Sequence, residues 1–445
     1  MQLILALQKL QKKYLLVLVI ESENEDPSLD NQVNSFLLQS KIDIYSTLEW
    51  VQSQEASLRE EIKNFCKVNG TIFQQSLLIQ ANLKVTFFLE SPLIETESFL
   101  SPSLSLYFHT YDDIVSWILS HPIPYQNVLT SLVLGAKIIQ EGGLVAFPTE
   151  TVYGLGSDAT NESAVKKIFT AKKRPSYDPL IVHVSHLKEM LPLVKELPEK
   201  AQILISKFWP GPLTIVLPKS SLIPDIVTST FPSVAIRMPN NPIALELIRL
   251  SGKPIAAPSA NLFGYTSPTT AQHVKQQLGG TYGAIIDGGG CTVGIESTVI
   301  SFLEETPRIL RPGGIDQKAI ESCIGKVLSQ REENDENLSI SPGMMPSHYA
   351  TTTPLLIVDN LNDYATRSDV GVLLFGKSNQ LFSGPVEYLS LTGDPKEAAK
   401  KLYQAMRKLD GLSLSLLVAT LLPETGIGVA VNNRLIKAAF KEQKA

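Results

Sequence analysis

Thr149, Glu150, Thr151 and Tyr153 follow Pro148 at the end of the apolar run LVAF, with almost no loop between them. Short hydrogen-bonding groups packed that tightly at a strand end read as one wall of a small polar site. Cations follow at intervals. Lys172, Lys173 and Arg174 close the helical run in TAKKRPSYDPLIVHV, where Pro175 stops the helix and cations suit the C-terminal dipole. Arg237 stands inside the apolar strand SVAIRMP with no acidic neighbour in sequence, and Arg311 in ILRPGG repeats the situation. An arginine within an apolar strand usually has an anionic partner. These cations at strand and helix ends therefore predict a site for a carboxylate or a phosphate. Ser233, Ser259, Asn261, Ser267, Ser297 and Thr298 stand at expected strand ends or in turns beside Gly and Pro. They would supply neutral donors and acceptors, although each alone is commonly a turn residue.

Several other chemistries lack their residues. GLGSDA matches the dinucleotide fingerprint, with Asp178 about 20 residues further on. In that motif, however, the glycines follow the strand directly, whereas here PTETVY intervenes; a turn is the better reading of Gly154 and Gly156. GVLLFGKS at residues 371–378 fits G-x-x-x-x-G-K-[ST] by its letters, but most of it lies inside the expected strand DVGVLLFG rather than in a loop after a strand, and no G-x-S-x-G nucleophile turn occurs. Ser259 in APSAN would be a nucleophile only beside a histidine, and Cys291 after DGGG reads as a small buried residue. The three cysteines and six histidines are scattered, with no metal-ligand spacing. Such sparse cysteine suits a reducing compartment and excludes a disulfide framework.

The elements that would position these groups fall into three regions. Residues 1–125 contain the apolar runs YLLVLVI and LKVTFFL and two expected helices, STLEWVQSQEASLREEIKNF and YDDIVSWILSH, which together predict a small α/β domain. Over residues 126–328, LVAFPT, LIVHV, LTIVLP, SVAIRMP, PIAAPSA, GAIIDGG and STVISF read as strands between helices such as NESAVKKIFTAKK and AQILISKFW. That is an α/β domain with a twisted mixed sheet. Residues 329–353 begin with a charged stretch and read as a linker. In residues 354–445, PLLIVD, DVGVLLFG, VEYLSL and SLLVATLL are expected strands, and DPKEAAKKLYQAMRKLD and NNRLIKAAFKE expected helices, of a small doubly wound, Rossmann-like unit.

The chain of 445 residues carries a net charge of −5, unevenly placed. Residues 1–125 hold eight Lys and Arg against fifteen Asp and Glu, and the remainder 31 against 29. A near-neutral body with an acidic leader argues against direct nucleic-acid binding. The run from Leu15 to Ile20 is too short to span a bilayer, so a cytoplasmic protein with no membrane partner is expected.

Taken jointly, FPTETVYGLG, AKKRP, FWPGPLTIVL, VAIRMP, APSAN, SPT and GIESTVI with ILRPG resemble the YrdC family in order and spacing. SPGMMPSHYA and LLPETGIGVAVNNRLIKAA resemble the linker and second domain of its long form, so that the likeness covers about residues 130–440. The resemblance implies synthesis of threonylcarbamoyl-AMP and pyrophosphate from L-threonine, bicarbonate and ATP with Mg²⁺, for a downstream tRNA threonylcarbamoyl transferase. By that similarity Thr151, His183, Arg237, Ala257 through its backbone, and Ser297 would hold threonine. Arg174, Asp178, Ser233, Ser259, Asn261, Ser267, Arg311 and Tyr349 match positions that contact ATP. Lys172 and Arg174, the family's K-x-R pair, are the expected stabilisers of phosphate charge, and no resident metal site is implied. The linker would act as a lid over a reactive anhydride; its charged composition alone fits a plain tether.

Two positions depart from the family pattern. Asp178 stands where Asn is usual, and MMPSHYA lacks the basic residues that commonly precede HYA. A carboxylate at 178 would need a cation beside it, either Arg174 or a Mg²⁺ shared with the triphosphate. A YrdC-like RNA-binding module and an enzyme that adenylates carbamoyl phosphate are the rival readings. The near-neutral body argues against the first, and the long-form second domain against the other.

Overall fold

The two apolar runs near the N-terminus are β-strands. The computed structural model describes residues 2–6, 15–21, 83–90, 103–108, 125–329 and 348–439. The chain divides into two units, residues 1–130 and 131–445. In the first, β1 (Gln2–Ala6), β2 (Leu15–Glu21), β3 (Leu83–Glu90) and β4 (Ser103–Phe108) form an antiparallel sheet in chain order. The two helices expected in this region lie outside the described residues.

The second unit begins within α1 (Tyr125–Gln140). Its larger sheet is assembled from β5 (Val145–Phe147), β6 (Gly154–Asp158), β7 (Ile181–His183), β8 (Leu213–Pro218), β9 (Ser233–Arg237), β10 (Ile255–Ala256), β11 (Ala284–Ile285), β12 (Thr298–Ser301) and β13 (Arg308–Arg311). The order is β11-β5-β6-β10-β7-β9-β8-β12-β13, with parallel and antiparallel neighbours mixed, as the alternating pattern predicts. Helices α2 (Glu162–Lys172), α3 (Glu199–Phe208), α4 (Pro242–Ser251), α5 (Ala271–Leu278) and α6 (Gln317–Ile324) lie between the strands in sequence. Successive residues of one strand enter different cores. Val182, Ile215 and Val234 join the main cluster, whereas Ile181, Val216 and Ala235 form a second one. The sheet is therefore buried on both faces, which explains why its strands read as continuous apolar runs.

GLGSD is a fully buried strand, not the turn that its glycines suggest. A Cβ on Gly156 would lie 2.5 Å from Ile255 and 2.7 Å from Phe147, so the glycine serves close packing across the sheet. Helix α2 ends as expected. Asn161 caps its first turn by accepting from the Ala164 N–H, and Lys173 closes it with a left-handed φ of 50° before Pro175.

The C-terminal domain carries a four-stranded parallel sheet of β14 (Leu355–Ile357), β15 (Val370–Phe375), β16 (Val386–Ser390) and β17 (Leu416–Ala419), in the order β14-β17-β15-β16. Helices α7 (Pro395–Asp410) and α8 (Gly428–Ala439) share one apolar core with Leu373, Leu389 and Leu417. Val152 and Ile295 of the preceding domain enter this same core. Among the described residues, no helix is long and apolar enough to cross a membrane.

Candidate active site

Strands β7 and β9 run parallel, and at their carboxyl ends His183 and Arg237 stand side by side as Cα partners. In α/β sheets such strand ends are where ligands bind. The turn after β5 faces them. Thr149 shapes it, donating its hydroxyl to the Val152 carbonyl at 2.6 Å and accepting from the N–H groups of Thr151 and Val152 at 3.2 Å. Arg237 then receives three fixed contacts. Its Nε donates to the Gly211 carbonyl (3.2 Å), its Nη1 donates to the Thr151 hydroxyl (2.8 Å), and its Nη2 lies 2.7 Å from Glu150 Oε1. Ala257 is set next to β7 by donating its N–H to the Ile181 carbonyl at 2.9 Å. His183 is neutral. Burial, with the Arg237 charge beside it, lowers its pKa to about 3, and its Nδ1 has no hydrogen-bond partner.

A second cluster adjoins the first. The Arg174 side chain is 3% exposed; its Nε donates to the Asp178 carbonyl (3.0 Å) and its Nη2 to the Pro179 carbonyl (2.8 Å). The same Nη2 lies 2.8 Å from the Asp178 carboxylate, which is fully buried. Burial pushes the Asp178 carboxyl up, with Arg174, Lys172 and Arg311 opposing. Lys172 donates its ammonium to the carbonyls of Ser259 (2.5 Å) and Asn261. Arg311 holds the Ser297 carbonyl through Nε and Nη2 at 3.2 and 3.0 Å. The Ser297 and Thr214 hydroxyls are 2.7 Å apart.

These groups enclose a cavity of about 50 Å³, room for a few waters. Thr151, His183, Arg237, Ala257 and Ser297 line it together with Arg174, Ser259, Arg311 and Tyr349. Lys172, Asp178, Asn261, Ser233 and Ser267 do not. Lys172, Asp178 and Ser267 instead hold the residues that do, and Asn261 donates to the Leu262 and Tyr265 carbonyls at 2.7 and 2.8 Å. Ser233 starts β9, at the far end from Arg237. The arginines also differ from their expected state, because Arg237 and Arg174 already sit on Glu150 and Asp178. An incoming anion must use the N–H groups that remain.

Sequence reasoning missed Glu296 and His348, which line the cavity, and the partner role of Glu150. Glu296 is visible as a lone charge in GIESTVI, but its partner Arg434 lies 138 residues further on. Burial pushes the Glu296 carboxyl up, yet Arg434 and Arg311 hold it at about 2. Cys291 is buried, as its sequence setting suggests, and burial raises its thiol to about 12. The linker residues 330–347 lie outside the described residues. Beyond them, Tyr349 is buried, its ring stacked on Tyr403 with centroids 5.8 Å apart.

The donor set disfavours a resident magnesium ion. Mg²⁺ binds proteins through one or two carboxylates plus substrate phosphates, and Glu150, Asp178 and Glu296 each hold a guanidinium at 2.7–2.8 Å. Among the described residues, no group of three or more His, Cys, Asp and Glu is arranged to hold a metal.

Comparison with known proteins agrees with this architecture. The family model described as "Telomere recombination", for the Sua5, YciO and YrdC proteins, matches residues 137–313. That described as "Threonylcarbamoyl-AMP synthase, C-terminal domain" matches residues 315–440. Fold and site thus define a two-domain enzyme of the nucleotidyltransferase type, with a YrdC-like catalytic domain. The threonylcarbamoyl-AMP synthase of Bacillus subtilis is 44% identical over 318 residues, covering 68% of this chain and 91% of that one. Its Pyrococcus abyssi counterpart is 43% identical over 321 residues, covering 69% and 93%. A crystal structure of P. abyssi Sua5 complexed with L-threonine superposes with a TM-score of 0.66 at 42% identity, over 69% of this chain and 94% of that one. The chain belongs to the threonylcarbamoyl-AMP synthase family. Neither family model reaches the first 136 residues.

Proposed function

We propose that this chain joins L-threonine, bicarbonate and ATP into threonylcarbamoyl-AMP and pyrophosphate. A downstream tRNA threonylcarbamoyl transferase would then use the product to make threonylcarbamoyladenosine in tRNA. The observation that carries this reading is the joint cavity: the five residues expected to hold threonine share it with Arg174, Ser259 and Arg311. Residues 126–328 act as the catalytic domain, 329–353 as the linker and 354–445 as the second domain.

The chemistry needs positioning and charge neutralisation more than a protein nucleophile. Bicarbonate gives CO₂ and hydroxide, the threonine amine adds to the CO₂ carbon, and the proton it loses joins the hydroxide as water, leaving a carbamate. A carbamate oxygen attacks the α-phosphorus, and the bond to the bridging oxygen breaks as pyrophosphate leaves with its electron pair. Arg237 binds the threonine carboxylate through its remaining N–H groups, fixed in the plane set by Gly211, Thr151 and Glu150. The neutral His183, with Nδ1 unpartnered, suits the threonine hydroxyl. Thr151, Ser297 and the Ala257 backbone surround the rest of the amino acid.

On the nucleotide side, Arg174, Arg311 and Ser259 meet phosphate oxygens, and Arg174 stabilises the charge that develops there. Lys172 holds the Ser259 and Asn261 carbonyls in place beneath them. Asp178 and Ser267 support this side through Arg174 and Glu296. ATP enters as its magnesium complex, for which the paired carboxylates offer no ligand. His348 and Tyr349, which line the cavity, act as a lid that excludes water from the bound substrates. Incubation with ATP, magnesium, bicarbonate and each amino acid in turn, followed by mass spectrometry of the nucleotide product, tests the reading. An adduct that forms only with threonine is expected. Pyrophosphate release without threonine when carbamoyl phosphate is supplied would favour a carbamoyl-adenylating enzyme instead.

A further inference from the structure

Among the described residues, Tyr403, Arg407 and Arg434 of the C-terminal domain reach across to the catalytic domain and grip segments that adjoin expected ATP contacts, one of them also adjoining Ser297. On α7, the Tyr403 hydroxyl donates to the Glu296 carboxylate, lying 3.0 and 2.9 Å from its two oxygens. One turn further along the helix, Arg407 donates its Nη2 to the Thr266 carbonyl. On α8, Arg434 donates Nε to Glu296 Oε2 and Nη1 to the Pro312 carbonyl, both at 2.8 Å. The gripped residues are neighbours of expected ATP contacts. Thr266 precedes Ser267, Pro312 follows Arg311, and Glu296 accepts the Ser267 hydroxyl at 2.6 Å.

The fit is close as well as polar. Gly294, two residues before Glu296, has a φ of +83°, and a Cβ there would lie 2.4 Å from Lys400 Cα and 2.6 Å from the Ala399 carbonyl of α7. Glycine is what lets the two backbones touch and Glu296 reach Tyr403. Arg434 is fully buried and Glu296 nearly so. A buried carboxylate stripped of one partner is strongly disfavoured, so the C-terminal domain sets where Glu296, and with it Ser267, can stand. The threonine half depends on the docking less, through Val152 in the shared core and Ser297 next to Glu296. The polar contacts of Arg237, and the N–H that seats Ala257, stay within the catalytic domain.

We propose that Tyr403, Arg407 and Arg434 are positioning residues, through which the C-terminal domain holds Ser267 and Arg311 in place for ATP. This deepens, and rests on, the assignment of those two residues to ATP. The test is Tyr403→Phe, which removes one hydroxyl, measured as KM for ATP, KM for threonine and kcat in pyrophosphate release, and as ATP affinity by calorimetry. The expected result is a loss of ATP affinity of about tenfold, with the threonine KM changed less than about twofold. Arg434→Lys, which gives up the fork spanning Glu296 and Pro312, should reproduce the same selectivity, and it decides the matter if Tyr403→Phe does not fold. An unchanged ATP affinity in a folded variant, or equal losses for both substrates, would overturn the proposal. Failure of the functional reading looks different: wild-type protein would bind ATP without releasing pyrophosphate in response to threonine. The comparison of ATP affinities would still decide whether the second domain positions that site.

Discussion

Arg237 receives its whole polar setting from one sheet: Gly211 before β8, Thr151 after β5 and Glu150 beside it. Ser267 and Arg311 stand differently. Ser267 hangs from a glutamate clamped by two helices of the other domain, and the residue after Arg311 is held by one of those helices. The polar contacts of one anchor thus stay within one domain, while those that hold the other cross between domains. Such a division suits an enzyme that must bind a small amino acid selectively and also admit a bulky nucleotide and release pyrophosphate.

The sharpest way to break this contrast is at Arg237. Arg237→Lys keeps the charge but loses the planar fork that serves Gly211, Thr151 and Glu150 at once. Threonine affinity should fall about a hundredfold, on the scale of one or two hydrogen bonds to charged groups, with ATP affinity nearly unchanged. Calorimetry with each substrate reads this directly, and a larger loss for ATP would reverse the assignment of the two halves.

Acid should also separate them. His183 has a folded pKa of about 3 against an ordinary 6.5, lowered first by burial and then by Arg237. The unfolded chain thus binds one more proton there between those values, and stability falls as pH drops below about 6.5. The slope is about 1.4 kcal/mol per pH unit for a single group. Glu296 is depressed instead from 4.5 to about 2, so its contribution persists until pH falls below 4.5. His273 and His348 are likewise held neutral by burial and share the upper window. The measurement is therefore a difference: His183→Gln should flatten the fall in unfolding free energy between about pH 6.5 and 5 relative to wild type. An unchanged slope would mean that His183 is protonated in the folded protein.

Asp178→Asn sharpens the nucleotide side, with a smaller effect. The carboxylate lies 2.8 Å from Arg174, and both side chains are buried. Arg174 is thus a cation already beside it, and an Asn here would leave the guanidinium its full charge toward phosphate. ATP affinity should hold or rise, by no more than about tenfold for a screened interaction of about 1 kcal/mol. The magnesium dependence of activity should not move. A rightward shift in a magnesium titration would make Asp178 a metal ligand after all.

The legibility of the site in the sequence follows the same division. The PTETVY wall, the strand-borne Arg237 and the end of α2 at Pro175 were readable because strand period, helix capping and proline act locally. Reading the cations together anticipated that Arg174, Arg237 and Arg311 line one pocket, but not that Glu150 and Asp178 already pair with two of them. Nothing in GIESTVI or NNRLIKAA announces that Glu296 and Arg434 meet, because that pairing depends on how two domains dock. Gly154 and Gly156 misled for a related reason. Glycine permits a turn or a close approach, and only the neighbours Phe147 and Ile255 decide that Gly156 serves the second.

The smallest expected effect concerns residues 1–125. They carry the chain's excess acid, fifteen Asp and Glu against eight Lys and Arg, which is the wrong sign to attract a triphosphate. No residue assigned to either half of the cavity comes from them, and the described unit that contains the site, residues 131–445, has its own cores. A chain beginning at Gln126 retains nearly all of α1, whose Leu132, Ala136 and Ile139 are buried. It should form threonylcarbamoyl-AMP with KM values for ATP and threonine both within about twofold of the full chain, since surface charges beyond a Debye length are screened at physiological salt. Low salt provides the finer measurement. If the acidic segment repels ATP at a distance, its removal should raise the apparent ATP affinity at about 10 mM ionic strength and not at about 150 mM, with threonine, a zwitterion, unaffected at either. A shortened chain that is soluble and folded yet inactive would place the segment within the active unit, and the contrast drawn between two halves would then need a third part.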